Sequence, residues 1–96
     1  MTEITPMIGV ETVLYGVLKI SWRDGFVGLV DLRPVIADGD VFHFLRTVPN
    51  AFNAVQLDEH GHRIYWVDPD GDDVDFGSDS LRRRAERQAE ILRLAS

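Results

Sequence analysis

The chain has 96 residues, 45% of them apolar and 27% charged, which is enough for one modest core and is not the composition of a disordered chain. It has no cysteine, so disulfides, thiolate metal sites and cysteine nucleophiles are excluded together, and a reducing, cytoplasmic setting is expected. The net charge of −6 is uneven: residues 1–80 hold five basic and fourteen acidic side chains, whereas residues 81–96 hold five arginines and two glutamates. An acidic body repels nucleic-acid phosphates and suits a basic protein partner.

The start, MTEITP, has an acid and a proline where a signal peptide needs basic residues followed by an apolar run. The longest apolar run, residues 13–18, stops at Lys19, far short of the roughly 20 residues of a membrane span. The chain is therefore expected to be neither exported nor embedded in a membrane. Residues 7–15 read as a first strand joined to the next through Gly16. Residues 17–32 then carry the strongest local signal. Asp24-Gly25 suits a two-residue hairpin turn in which both residues take positive φ. That turn sets Trp22 opposite Val27, Ile20 opposite Leu29 and Leu18 opposite Asp31, and predicts an apolar face of Leu18, Ile20, Trp22, Val27 and Leu29.

Pro34 ends this hairpin, and Asp40 is placed to cap one or two helical turns that bury Val41, Phe44 and Leu45. A second hairpin follows Phe52. Its apolar pattern selects a four-residue loop, Asp58-Glu59-His60-Gly61, which pairs Leu57 with His62 and Val55 with Ile64. This gathers Val55, Leu57, Ile64 and Trp66 on one face. Residues 68–79 read as an acidic turn region, and residues 81–95 as a helix with Ser78 at its N-cap and Asp79 adding favourable charge. Leu81, Ala85, Gln88, Ala89 and Leu92 form its apolar stripe, widened by Ile91 and Ala95, with the arginines on the other side. The predicted architecture is one α+β domain over residues 1–96: a small antiparallel sheet, a three-stranded meander plus a second hairpin, with short helical turns and one C-terminal helix.

Taken in order, SWRDGFVGLVDL at 21–32, VFHFL at 41–45, Phe52, IYW at 64–66, GDDVD at 71–75 and Ser80-Leu81 resemble the bacterial family catalogued as domain of unknown function 2442. Each element is weak alone; their joint order and spacing cover nearly the whole chain. The resemblance implies a small α+β domain of the kind found at the N-terminus of certain transcriptional regulators. It also implies an association with a second small domain of unknown function, number 4160, in a toxin–antitoxin-like pair. Two departures stand out. Trp66 is followed by Val67-Asp68-Pro69, where many members have proline at once, so the acidic loop is longer. Longer members carry a helix-turn-helix after this domain, and none is expected within these 96 residues. The resemblance implies no catalytic residues.

Among candidate sites, the loop at 68–79 places Asp68, Asp70, Asp72 and Asp79 at positions 1, 3, 5 and 12, a carboxylate spacing that suits Ca²⁺. Its glycine stands at position 4 instead of 6, and position 12 is aspartate instead of the longer glutamate, so a solvated acidic turn is the simpler reading. His60 and His62 offer two imidazoles without a third ligand, and His43 between two phenylalanines reads as half-buried and structural. No nucleophile elbow or glycine-rich phosphate loop is present, and the paired carboxylates lie in polar loops where nothing raises a pKa. An enzyme is not expected, and neither is a cofactor. The cluster Arg82-Arg83-Arg84 with Arg87 reads as a solvated helix face bonded to Glu86 and Glu90, since no aromatic stacking platform accompanies it. Trp22 and Trp66 read as core and become interface anchors only if exposed. The expected function is a protein-binding or regulatory module with Trp22, Trp66, Arg84 and Ile91 as partner-binding candidates. A small basic partner, as in an antitoxin-like pair, or a homodimer would fit. DNA-linked regulation by a dimer is the alternative class.

Overall fold

The computed structural model describes residues 4–95; the first three residues of the start discussed above lie outside them. Three strands, β1 (Met7–Leu14), β2 (Val17–Trp22) and β3 (Val27–Asp31), form one antiparallel sheet in the order β1-β2-β3. Two short helices follow, α1 (Arg33–Ile36) and α2 (His43–Thr47). A second antiparallel sheet then runs β4 (Gln56–Leu57), β5 (Arg63–Val67) and β6 (Asp73–Gly77), in that order. The chain closes with α3 (Ser78–Ala95). The α+β class and the C-terminal helix are as expected, whereas the second sheet has one strand more than the hairpin predicted.

Both sheets contribute to one core. Leu18, Ile20 and Trp22 of β2 and Val30 of β3 join Ile64 and Trp66 of β5, Val74 of β6, and Leu81 and Ala85 of α3. Ile36, Phe44, Leu45 and Phe52 close it from the connecting segments. The two indoles are buried with their N–H groups satisfied: Trp22 Nε1 donates to Ser78 Oγ at 3.0 Å, and Trp66 Nε1 donates to the Phe52 carbonyl at 2.9 Å. Buried polar groups are held this way because an unpaired one costs the full desolvation penalty.

The first hairpin corrects the predicted register by one residue. Ser21 pairs with Val27, Ile20 with Gly28 and Leu18 with Val30. Gly25, at φ 95°, donates to the Trp22 carbonyl at 3.0 Å, while the Trp22 N–H donates to the Phe26 carbonyl at 2.8 Å. This is a turn closed by a glycine bulge over Arg23, Asp24 and Gly25, and it uses the positive φ of Gly25 without requiring one at Asp24. A one-residue slip turns a strand over. Gly28 and Val30 therefore face the core, and Val27 and Leu29, predicted inside, are exposed. Gly28 shows why this register is preferred. A Cβ there would stand 2.9 Å from the Ala85 Cβ and 2.8 Å from the Phe26 ring, so only glycine lets α3 lie this close to β3.

The second hairpin keeps its predicted face with a register displaced by two. Leu57 pairs with Ile64 and Gln56 with Tyr65. An even displacement preserves sidedness, so Leu57, Ile64 and Trp66 still share the inner face. Asp58 holds the loop: its N–H donates to the Arg63 carbonyl at 3.1 Å and its Oδ1 accepts from the His62 N–H at 2.9 Å. Gly61, at φ 71°, lies against the Met7 backbone, and its carbonyl accepts from the Met7 N–H at 2.8 Å, tying the second sheet to the start of the first.

Other expectations change as well. The acidic region at 68–79 splits into a tight turn at 68–72, the strand β6 and the start of α3. Alternation along Asp73-Val74-Asp75-Phe76 is what makes the strand: Val74 is buried, Phe76 is half-buried, and the two aspartates point out to Arg63. Asp40 makes no side-chain cap, and Val41 is exposed, while Phe44 and Leu45 are buried as expected. Ser78 does not use its hydroxyl as an N-cap: Oγ accepts from Trp22 and donates to the Thr5 carbonyl at 2.6 Å. His43 is exposed, not half-buried.

Candidate functional site

Helix α3 is held from one side only. Leu81 and Ala85 enter the core, and Arg82 locks the first turn onto the β2–β3 hairpin. Its guanidinium pairs with Asp24 at 2.9 Å and with Glu86 at 3.0 Å, and lies 4.2 Å from the Phe26 ring centroid and 5.3 Å from that of Trp22. A planar cation suits this position because it stacks on aromatic faces while its edges meet carboxylates. The same contact holds the Asp24 carboxyl below the usual aspartate range, through the hydrogen bond from Arg82 first and the Phe26 N–H second.

Beyond Ala85 the helix runs out of core. Ala89, Ile91, Leu92 and Ala95, placed on the predicted apolar stripe, are all exposed, as is Leu94. Exposure reaches 55% at Ile91 and 74% at Leu94, large for apolar side chains in the last turns of a helix. Leu92 and Ala89, with Val27 and Leu29 of β3, line a shallow groove of about 300 Å³ rimmed by Lys19. The slip in the first hairpin is what delivers Val27 and Leu29 to this groove.

The opposite side of α3 carries Ser80, Arg83, Arg84 and Arg87 around a second shallow depression of about 370 Å³. Their spacing of three and four residues places them on one stripe, and Ile91 and Leu94 continue it toward the C-terminus. Of the pairings predicted for Arg82, Arg83, Arg84 and Arg87 with Glu86 and Glu90, the one between Arg82 and Glu86 forms and those of the other three arginines do not. Glu86 goes to Arg82 and Glu90 to Arg93 at 3.3 Å. Among the described residues, Arg83, Arg84 and Arg87 have no carboxylate within ion-pair distance. The outer stripe of α3 is thus cationic in its first half and apolar in its second.

Of the sequence-predicted partner residues, the structure brings Arg84 and Ile91 onto this one stripe. It places Trp22 and Trp66, each 1% exposed, inside the core, where neither meets an outside surface. Leu94, Val27 and Leu29 were not anticipated. For Leu94 a signal existed: it lies seven residues after Arg87 and so falls on the same helix face.

The proposed calcium spacing does not converge. Asp68 Oδ1 accepts from the N–H groups of Asp70 and Asp72, both at 2.9 Å, and Asp79 lies in α3 beyond an intervening strand. His60 and His62 have ring centroids 5.9 Å apart, and His60 lies 3.4 Å from Glu59. Among the described residues no group of three or more His, Asp or Glu side chains comes together as a metal site. A third depression, about 640 Å³, lies between Val13, Leu14 and Tyr15 and the segment at 45–53. Arg46 at its edge donates to the Ile36 and Gly39 carbonyls at 2.9 and 3.0 Å. Among the described residues, no helix is long and apolar enough to cross a membrane.

No family model, curated protein or solved structure matches this chain.

Proposed function

We propose that the chain is a small non-catalytic binding and regulatory module that recognises another protein in the cytoplasm. Its pairing is antitoxin-like, as the resemblance to domain of unknown function 2442 implies. One observation carries this reading: apolar side chains stay exposed on two sides of the end of α3, Val27, Leu29, Ala89 and Leu92 along a groove and Ile91 and Leu94 on the outer stripe. Exposed apolar side chains gathered beside polar and charged ones are the mark of a surface meant to be covered. The acidic turns at 38–40 and 68–72 suit basic groups on a partner's body.

A tagged pull-down from the source cells, followed by reconstitution from purified components, tests the reading. A single stoichiometric partner that rebinds in purified form supports it. Recovery of the chain alone, with no heteromeric partner, rejects it. Three arginines on one helix without an ion pair among the described residues favour a second reading, DNA-linked regulation by a dimer that aligns two such helices. Titrating a labelled duplex at low and moderate salt separates the two, because phosphate contacts give steeply salt-dependent binding.

A further inference from the structure

We propose that the outer stripe of α3 docks an acidic amphipathic helix from a different protein, with carboxylates over Arg83, Arg84 and Arg87 and apolar side chains over Ile91 and Leu94. This inference rests on the binding-module reading and names the surface and the chemistry of the contacting segment.

Charge complementarity selects the occupant. The chain carries sixteen carboxylate side chains against ten cationic ones, yet none of those carboxylates lies within ion-pair distance of Arg83, Arg84 or Arg87 among the described residues. A local cationic stripe on an acidic chain is opposite in sign to the net charge, so the segment that meets it is acidic even where the partner's body is basic. Arginine is also enriched at the energetic centres of interfaces, because its fork binds carboxylates bidentately while its stem packs on apolar surface.

A second copy does not fit this stripe. Two α3 helices crossing in parallel would set arginine against arginine. Crossing antiparallel, they would set Arg84 and Arg87 of one against Ile91 and Leu94 of the other, leaving cations on apolar groups. The nearby glutamates offer no remedy, since Glu86 is held by Arg82 and Glu90 by Arg93. Nucleic acid fits the first half of the stripe and not the second: phosphates would meet Ile91 and Leu94, and the acidic body would oppose the approach. A helix whose face is acidic along one stretch and apolar along the next satisfies both halves by packing lengthwise on α3.

Fluorescence anisotropy with defined probes tests the assignment. The main probe is a labelled amphipathic peptide of about 20 residues, long enough to form helix, with glutamates on one half of a face and leucines on the other, made in both chain orders. A glutamine version and a short labelled DNA duplex serve as comparisons. At low salt the glutamate peptide in one order should bind the intact protein at least about tenfold tighter than the glutamine version, and lose about tenfold or more with Arg84→Glu/Arg87→Glu. Ile91→Ser/Leu94→Ser should weaken it comparably. These side chains are exposed, and circular dichroism of each variant should match wild type.

The proposal is overturned if neither chain order binds, if the variants bind as wild type does, or if the duplex binds more tightly than the peptide with a steep salt dependence. A reconstituted natural partner that still binds the Arg84→Glu/Arg87→Glu protein would remove this surface while leaving the binding-module reading standing.

Discussion

Ser78 joins three parts of the molecule through one hydroxyl. It accepts from the Trp22 indole, donates to the Thr5 carbonyl and stands at the first residue of α3, and it is the one buried polar side chain among the described residues. Ser78→Ala leaves a buried indole N–H and a carbonyl without their partner, so a loss of about 1–3 kcal/mol is expected in urea unfolding followed by tryptophan fluorescence. A loss below about 0.5 kcal/mol, the scale of a neutral surface change, would contradict that role. Asp24 makes a pH-dependent contribution. Its carboxyl is held below the ordinary range by Arg82 and by the Phe26 N–H, so folding favours the ionised form. The stabilisation is present above the unfolded-state pKa and is lost as pH falls through the folded value. Asp24→Asn should therefore lower the urea midpoint at neutral pH. The gap from wild type should close as the pH drops below about 4. A gap that stays constant across that range would show that the carboxylate's charge is not what Arg82 uses.

At the scale of the element, α3 is two helices in one. Its first two turns are fixed by Leu81, Ala85 and Arg82, and its last turns touch little of the core. Truncating the two ends should separate them. Leu81→Ala opens a cavity in the shared core and should cost about 2–5 kcal/mol. Leu94→Ser removes an exposed side chain and should change stability by no more than about 0.5 kcal/mol. Equal losses at both positions would mean that the end of α3 is packed in solution, and with it that the outer stripe is not open. The hairpin turns show how far a local signal carries. Asp24-Gly25 marks the place of the turn but reads as a two-residue turn with positive φ at both residues, whereas a three-residue turn with positive φ at Gly25 alone forms. The difference moved β3 by one residue and exchanged its faces. In the second hairpin the apolar pattern chose a register wrong by two and still named the right face, because sidedness depends only on parity.

At the scale of the molecule, both sheets and α3 close on one core that holds both Trp22 and Trp66. Far-ultraviolet circular dichroism and tryptophan fluorescence should therefore report one coincident urea transition, as a single cooperative unit requires. Two separated transitions would show that the sheets unfold independently, and that the contact between Gly61 and Met7 does not couple them. The acidic surface behaves in the same collective way. Arg63 gathers Asp73 at 3.2 Å and Asp75 at 3.1 Å across the second sheet, and the 68–72 turn satisfies itself through Asp68, so carboxylates adjacent in sequence are dispersed among separate tasks.

The sequence by itself determined what depends on neighbours along the chain. It specified an α+β composition, turns wherever glycine adopts positive φ, a core built on Ile20, Trp22, Ile64, Trp66 and Leu81, and a helix at the C-terminus. Asp73-Val74-Asp75-Phe76 carried a strand's alternation as well, masked by its acidity, which reads as loop until Arg63 lies beside it. Tertiary structure decided what depends on residues far apart. Gly28 is inside because Ala85 of α3 presses on it, 57 positions further along the chain. Ser78 serves Trp22 instead of capping its own helix. Arg83, Arg84 and Arg87 stand open because Glu86 and Glu90 are drawn to other cations. Periodicity marks which side of an element is apolar; only packing determines how much of that side finds cover, and on α3 the cover ends after Ala85.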